Sequence, residues 1–358
     1  MRDKLRTYPR LAYLLTRRPL IVNQPLEHLR LNPSSVCNLN CRMCPNSYTV
    51  KDKKTMTFTD FKRILDSTKA KRLTLVGSGE TFFNPEIIDI LNYAGEKCSW
   101  FSTTTNFTIV GDIIEDIIHS NLDVVKISID GATEDTYNRI RRGAEFDTIV
   151  DNIASLVEAK TRLHSERPYI RFNYVVQYDN YKEIDTIVEL AHDLGVTNIV
   201  FLMVRTSCQE LMDIPYEELI TKMKKANELT KKFGIWSNLE RLLVDLQIIQ
   251  WGKYAEYCNT MKTCRQEKFY ECIYPWLSAY IDVHGTVTPC CSYRVFSKRD
   301  RYGNALKDEW KDIWNGAKFQ YLRYNIKNRL DISPSCLDCN GFSMRSLVKI
   351  DRMLPHFT

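Results

Sequence analysis

Strand-like and helix-like segments alternate regularly between residues 28 and 204 of this chain, and this alternation limits the folds that it can adopt. Runs rich in β-branched and aromatic residues predict six strands, at residues 28–31, 73–76, 99–105, 124–129, 169–177 and 199–204. Helix-like segments lie between them, at residues 59–68, 85–94, 112–119, 146–163 and 181–194. Such alternation predicts an α/β fold with a parallel sheet, either open and doubly wound or part of a β/α barrel. In both cases ligands bind at the carboxyl ends of the strands.

The pattern changes after residue 205, where two helical stretches at 216–233 and 239–257 follow each other without an intervening strand. A hairpin is then expected from 279–283 and 286–288, followed by a helix that begins at Trp310. We therefore divide the chain into five segments: a basic N-terminal segment at 1–25, an α/β core at 26–205, a helical linker at 206–265, a small cysteine-rich domain at 266–345 and a tail at 346–358.

Composition excludes several classes of protein. Apolar residues make up 44% and charged residues 26%, which is typical of globular chains and not of disordered or fibrous ones. The net charge of +6 is spread along the chain and does not indicate a nucleic-acid partner. No apolar run is long enough to cross a bilayer, and the N-terminus does not read as a signal peptide, so we expect a cytoplasmic protein. The basic N-terminal segment, interrupted by Pro9, allows either peripheral membrane contact or packing on the core.

Twelve cysteines in a chain without an export signal indicate metal binding rather than disulfides. Cys37, Cys41 and Cys44 form a C-x3-C-x2-C loop just after the first predicted strand. Three thiolates can bind three irons of a [4Fe-4S] cluster and leave the fourth iron open for a cofactor or substrate. A zinc site with three cysteines would normally add a histidine, and none is close in sequence.

This loop resembles that of the radical SAM enzymes, in which the open iron of a [4Fe-4S] cluster binds S-adenosylmethionine (SAM). Met43 stands where that family usually has an aromatic residue, and it can still pack beside the cofactor. The resemblance implies a partial (β/α)6 barrel over residues 26–205. Segments that match the family's motifs in order extend the likeness over most of the chain.

The resemblance also implies which residues contact SAM. Glu80 closes a segment like the family's Gly-Gly-Glu, although an ordinary strand-to-helix turn is the alternative for that glycine-rich sequence. Arg141 would bind the SAM carboxylate, since a guanidinium pairs with a carboxylate through two hydrogen bonds, and the alternative is a solvated surface position. The implied SAM-binding residues are Met43, Gly77, Ser78, Gly79, Glu80, Thr105, Asn106, Ser128, Asp130, Arg141, Asn173 and Met203.

A second cysteine group resembles the SPASM/twitch extension of the same enzymes, which carries auxiliary iron-sulfur clusters. Its expected ligands are Cys272, Cys290, Cys336 and Cys339. Cys290 is preferred to Cys291 because it keeps the G-x4-C spacing from Gly285, and no cysteine follows Cys339, so one auxiliary [4Fe-4S] cluster is expected. A structural zinc ion is the alternative, since four thiolates suit either metal.

The resemblance implies reductive cleavage of SAM to a 5′-deoxyadenosyl radical, with an electron from a donor such as flavodoxin or ferredoxin. The radical would abstract a substrate hydrogen atom. Cys208 is a candidate hydrogen-atom donor and Arg205 a candidate anion-binding or proton-transfer group, although both residues also suit structural or surface roles. Electron transfer to the auxiliary cluster would give dehydrogenation, whereas hydrogen return from Cys208 would give epimerisation.

Two substrate classes compete. About 35 residues precede Cys37, fewer than a peptide-binding domain needs. We therefore expect a sugar, a nucleotide-linked sugar, a cyclitol or a related small molecule, with a ribosomal peptide as the alternative. An iron-sulfur or zinc protein without turnover is a third hypothesis, and it would produce no 5′-deoxyadenosine.

Overall fold

The computed structural model describes residues 13–14, 16–44, 52–204, 213–251, 272–290, 301–330 and 336. The chain divides into two compact units. One unit, here the terminal unit, comprises Met1–Arg30, Arg63–Lys71 and Gly252–Thr358. The other, the sheet unit, comprises Leu31–Lys62 and Arg72–Trp251.

A parallel sheet forms the centre of the sheet unit. Its strands are β2 (Arg72–Leu75), β3 (Trp100–Thr105), β4 (Val124–Ser128), β5 (Tyr169–Val176), β6 (Asn198–Met203) and β7 (Trp236–Ser237), paired in chain order. At the β2 edge, Leu31, the last residue of β1 (His28–Leu31), accepts a hydrogen bond from the Val76 N–H at 2.9 Å. All six predicted strands are confirmed, with ends displaced by at most one residue. As described, the sheet is open and does not close into a barrel.

The expectation of no strand between the two helices after residue 205 is wrong. Trp236 and Ser237 form β7, which pairs in parallel with the start of β6. The side chain of Asn238 then continues the ladder, because its amide accepts from the Phe201 N–H and donates to the Phe201 carbonyl, both at 2.8 Å. A two-residue strand is too short to produce a periodic signal in the sequence.

Helices connect the strands. They are α1 (Phe58–Thr68), α2 (Ile87–Lys97), α3 (Ile114–His119), α4 (Glu134–Ile140), α5 (Phe146–Arg162), α6 (Thr186–Asp193), α7 (Tyr216–Phe233) and α8 (Leu239–Trp251). The sequence did not predict α4, which is short and begins after the Thr133 cap, whose hydroxyl accepts from the Thr136 N–H. No described helix is long and apolar enough to cross a membrane.

The two faces of the parallel sheet differ in chemistry. Side chains in register across neighbouring strands share a face. One face is apolar and fully buried, as shown by Leu73, Phe101, Val125, Phe172 and Phe201, each at most 1% exposed. The opposite face carries polar and charged side chains, namely Arg72, Thr74, Trp100, Ser102, Lys126, Ser128, Arg171 and Asn173.

The terminal unit contains the predicted hairpin, which is confirmed. Its elements are α9 (Tyr274–Leu277), β8 (Ser278–Ile281), β9 (Thr286–Thr288), β10 (Gly303–Asn304), α10 (Trp310–Trp314) and α11 (Ala317–Asn328). β8 and β9 pair antiparallel around a turn in which Gly285 has φ +79°, a conformation that favours glycine. The Asp282 carboxylate fixes this turn by accepting from the N–H groups of His284 and Thr286.

Candidate cluster and cofactor site

The cysteine loop of residues 37–44 follows β1 at the carboxyl edge of the parallel sheet and is braced by the segment that ends α4. The Asn40 N–H donates to the Arg142 carbonyl at 2.9 Å, and the Arg42 N–H donates to the Ile140 carbonyl at 3.0 Å. Within the loop, the Cys44 N–H donates to the Cys41 carbonyl at 3.0 Å. Backbone hydrogen bonds therefore fix the path of the loop independently of the thiols.

The three thiols of the loop are free and partly or wholly buried. Cys37 accepts hydrogen bonds from the Leu39 N–H at 3.4 Å and from the Asn106 amide at 3.9 Å. Burial raises the pKa of Cys37 to about 11 and also raises the pKa of Cys41. Metal binding to these thiols must therefore release protons.

The described residues contain no group of three or more His, Cys, Asp or Glu side chains arranged around one metal ion. The three thiols of the loop therefore do not form a preformed site for one metal ion. The cysteines of a cubane cluster, in contrast, each bind a different iron.

An ion pair between Asp130 and Arg141 lies beside the loop. Arg141 Nε donates to Asp130 Oδ2 at 2.7 Å, and Arg141 Nη1 lies 3.8 Å from Cys41 Sγ. The other Asp130 oxygen accepts from the Val175 N–H at 2.7 Å. Burial opposes charge on Arg141, but Asp130 outweighs it and raises the pKa of the guanidinium. The Arg141 side chain is only 11% exposed, so the solvated surface position considered for it is wrong.

A second buried carboxylate, Glu80, joins the ends of two strands. One of its oxygens accepts from the Phe82 N–H at 3.0 Å and from the Thr105 hydroxyl at 2.6 Å. The other accepts from the Asn106 N–H at 2.6 Å. Burial raises the pKa of Glu80, and the three hydrogen bonds oppose that rise. Through Asn106, whose amide also donates to Asn38 at 2.9 Å, this carboxylate is linked to the cysteine loop.

Two glycines before Glu80 allow the chain to approach the residues that lead into the loop. A Cβ at Gly79 would lie 2.3 Å from the Val36 carbonyl oxygen, and one at Gly77 would lie 1.7 Å from Asn32 Oδ1. Gly79 N–H donates to the Ser34 carbonyl at 3.1 Å. The glycines are thus required by packing of this chain against itself.

The remaining predicted SAM-binding residues that the structure describes lie at or near the ends of strands. Ser128, the last residue of β4, is in register with Asn173, which lies three residues before the end of β5. Asn173 Oδ1 is buried and has no hydrogen-bond partner among the described residues. Ser78 accepts a hydrogen bond from Asn32 at 3.3 Å. Met43 in the loop and Met203 at the end of β6 are half-buried.

Sequence reasoning missed Gln177, which directly follows β5. It is fully buried, yet neither polar atom of its side-chain amide has a hydrogen-bond partner within the described part of the chain. Its position at the carboxyl end of a predicted strand was the available signal. An unpaired buried amide is costly, so Gln177 is a candidate contact for a ligand or an ordered water.

The second cysteine group is described only in part. Cys272, Cys290 and Cys336 are half-buried cysteines of the terminal unit, and the Thr288 hydroxyl donates to the Cys290 carbonyl at 3.1 Å. Four other residues discussed from the sequence lie outside the described residues, namely Arg205, Cys208, Cys291 and Cys339.

Comparison with protein families agrees with this arrangement. The radical SAM superfamily matches residues 31–191, and the SPASM iron-sulfur cluster-binding domain matches residues 272–340. The chain is a radical SAM protein with a C-terminal SPASM domain. Its first domain implies a [4Fe-4S] cluster and SAM, and its second implies auxiliary iron-sulfur chemistry.

Two relatives of this radical SAM protein match most of its length. The tungsten-containing aldehyde ferredoxin oxidoreductase cofactor-modifying protein of Pyrococcus furiosus is 24% identical over 335 residues, which cover 88% of this chain and 87% of the relative. The AdoMet-dependent heme synthase of Methanosarcina barkeri is 24% identical over 327 residues, covering 87% and 89% respectively.

Among solved structures, Streptococcus suis SuiB bound to S-adenosylmethionine is similar with a TM-score of 0.65 and 17% identity. The match covers 96% of this chain and 78% of SuiB. At this level of identity the similarity supports the fold.

The residues of the sheet unit fit the implied groups. Three thiols lie on one braced loop, and buried amide atoms of Asn173 in β5 and of Gln177 just after β5 have no partner among the residues that the structure describes. Thiolates suit iron-sulfur clusters, and unpaired buried amides suit a polar cofactor.

Proposed function

We propose that this radical SAM enzyme cleaves SAM reductively and removes a hydrogen atom from a small-molecule substrate. The observation that carries the proposal is the grouping of a three-thiol loop with two preformed buried carboxylates, Glu80 and the Arg141-paired Asp130. Fixed polar groups of this kind hold a cofactor in one orientation without reorganisation.

In this proposal Cys37, Cys41 and Cys44 hold the [4Fe-4S] cluster, and the fourth iron stays open to SAM. Asp130 holds the Arg141 guanidinium close to Cys41, where its positive charge suits the SAM carboxylate. When bound, the cluster and SAM together supply the electron and the 5′-deoxyadenosyl group that abstracts hydrogen.

The other SAM contacts are assigned by position. Asn173 and Gln177 form hydrogen bonds to polar groups of SAM through their unpaired amide atoms. Met43 and Met203 supply apolar contacts. Together with these four, the proposed contacts are Gly77, Ser78, Gly79, Glu80, Thr105, Asn106, Ser128, Asp130 and Arg141.

We assign one auxiliary [4Fe-4S] cluster to Cys272, Cys290, Cys336 and Cys339. Such a cluster would accept the electron of the substrate radical, and loss of a proton from the substrate would complete a dehydrogenation. Epimerisation would instead need hydrogen return, for which Cys208 is the candidate, with Arg205 as a candidate anion-binding or proton-transfer group. The electron donor is assigned to the flavodoxin or ferredoxin class.

The names of the two full-length relatives support a small-molecule substrate, since one relative is named for modifying a cofactor and the other for synthesising heme. Sugars, cyclitols and ring-containing cofactor precursors therefore come first in a substrate screen. Peptides form the second arm of that screen.

The test is anaerobic incubation of reconstituted protein with dithionite and SAM, followed by measurement of 5′-deoxyadenosine. We expect product from the wild type and none from Cys41→Ala. Cys98→Ala is the matched control, because Cys98 is a half-buried cysteine that directly follows α2, outside the loop, and this variant should retain cleavage. Absence of 5′-deoxyadenosine from iron-loaded wild type, or undiminished cleavage by Cys41→Ala, contradicts the proposal.

A further inference from the structure

The polar face of the parallel sheet departs from what such sheets normally show. Parallel strands buried on both faces are rich in Val, Ile and Leu. Here the face opposite the apolar one carries two cations on adjacent strands, Lys126 on β4 and Arg171 on β5, which are in register. Neither Lys126 nor Arg171 has been given a role by the site described above.

Arg171 has fewer interactions with its surroundings than Lys126 has. It is half-buried, its Nε is fully buried without an acceptor, and it makes no hydrogen bond or ion pair in the part of the chain that the structure describes. Burial lowers the pKa of Arg171 to about 10, so it remains a cation at neutral pH. A charged guanidinium without a partner costs free energy unless a ligand supplies the anion.

Lys126 increases this cost. Partner residues on adjacent strands lie about 4.8 Å apart, and like charges directly opposite each other are destabilising. The Lys126 ammonium donates to the Ser102 hydroxyl at 2.7 Å and lies 5.5 Å from the Trp100 ring. These neighbours orient the ammonium towards the polar face of the sheet.

Lys126 and Arg171 lie two residues closer to the amino ends of their strands than two of the predicted SAM contacts. On both strands the next residue on the same face towards the carboxyl end is a proposed SAM contact, Ser128 above Lys126 and Asn173 above Arg171. That step corresponds to about 7 Å along a strand. A molecule bound to Lys126 and Arg171 would therefore extend along the polar face towards the predicted SAM site.

We infer that Arg171 and Lys126 bind an anionic group of the substrate, a carboxylate or a phosphate, on the polar face of the sheet. This inference deepens the proposed function and rests on it, because it names the substrate class as an anionic small molecule. Arg171 would bind the anion through two parallel hydrogen bonds, and Lys126 would add a point charge.

The test measures anion binding to cluster-reconstituted, SAM-loaded protein by calorimetry and by thermal denaturation. The probes are sodium succinate and inorganic phosphate, each compared with sodium chloride at the same ionic strength. We expect saturable binding of at least one probe, weakened about tenfold or more by Arg171→Met and less by Lys126→Met. Lys224→Met removes the same charge from an exposed position of α7 and should bind like the wild type.

The two probes distinguish a carboxylate site from a phosphate site. Equal affinity in wild type and Arg171→Met, or no saturable effect of either anion beyond chloride, overturns the inference. Formation of 5′-deoxyadenosine is measured in parallel without substrate, and it should persist in Lys224→Met. Loss of 5′-deoxyadenosine from the wild type would instead contradict the proposed function, whatever the anion titration shows.

Discussion

The two cysteine groups of this chain differ in how their ligands are brought together. Cys37, Cys41 and Cys44 lie within eight residues of each other, on a loop fixed by backbone hydrogen bonds and a buried ion pair. The second group takes its proposed ligands from residues 272 to 339 and depends on the tertiary fold of the terminal unit. Because closing a short loop costs less entropy than closing a long one, the first group is the better preorganised of the two.

The largest expected effect separates the two groups. Cys272→Ala combined with Cys290→Ala should reduce the iron content from about eight to about four per chain, since one of two four-iron clusters loses ligands. Cleavage of SAM without substrate should continue, because the first group is untouched. Zinc in the wild type, with about four irons in both proteins, would contradict the iron-sulfur assignment.

The next effect tests the bracing of the first group. Asp130→Asn leaves Arg141 buried without its counter-charge, and we expect a loss of about 3–5 kcal/mol in the free energy of unfolding. Urea denaturation of the apoprotein measures it. Asp135→Asn is the control, since Asp135 is 83% exposed and pairs with Arg139 at the surface. Similar losses in both variants would show that the Asp130 pair has no special role.

A smaller effect is expected at the other buried carboxylate. Glu80→Gln replaces an acceptor of three hydrogen bonds by an amide with one acceptor oxygen, which leaves buried donors unpaired at about 1–3 kcal/mol. The affinity for SAM, measured by equilibrium dialysis, should fall as well. Exposed Glu96 provides the control variant Glu96→Gln, which should match the wild type. An unchanged stability of Glu80→Gln would show that the hydrogen bonds of this carboxylate do not stabilise the fold.

The smallest effect concerns a carboxylate outside both groups. Burial tends to raise the pKa of Asp185, but hydrogen bonds from Lys225 and Lys222 outweigh it and lower the pKa below the ordinary value of 3.8. Its contribution to stability is therefore present above about pH 3.8 and lost as the pH falls through the lowered pKa.

Asp185→Asn should destabilise the protein at neutral pH, by less than Asp130→Asn does, and the difference from wild type should shrink in acid. Thermal denaturation between pH 3 and 7 measures this difference. A constant difference across that range would contradict the assigned pKa direction.

Local sequence patterns predicted the repeating strands and the cysteine loop, because each of these features depends on residues that are close together in the chain. The sequence did not predict β7 and α4, because both elements are too short to show a periodic pattern. Tertiary contacts stabilise such short elements, as the hydrogen bonds between Asn238 and Phe201 do beside β7. Burial of Arg141 could not be predicted from the basic residues around it, because its partner Asp130 becomes a neighbour only when the turn after β4 folds. The missing hydrogen-bond partners of the Gln177 amide, judged among the described residues, likewise depend on the folded structure and could not be predicted from the sequence.

We expect the first cysteine group to hold an open four-iron cluster that binds SAM. The most direct measurement is iron and sulfide content with EPR of the reduced protein, with and without SAM. It compares the wild type with the triple variant Cys37→Ala, Cys41→Ala and Cys44→Ala. We predict about eight irons falling to about four, with a signal that SAM alters in the wild type and not in the variant. Equal iron contents, or a SAM-dependent signal that survives in the triple variant, would contradict the claim.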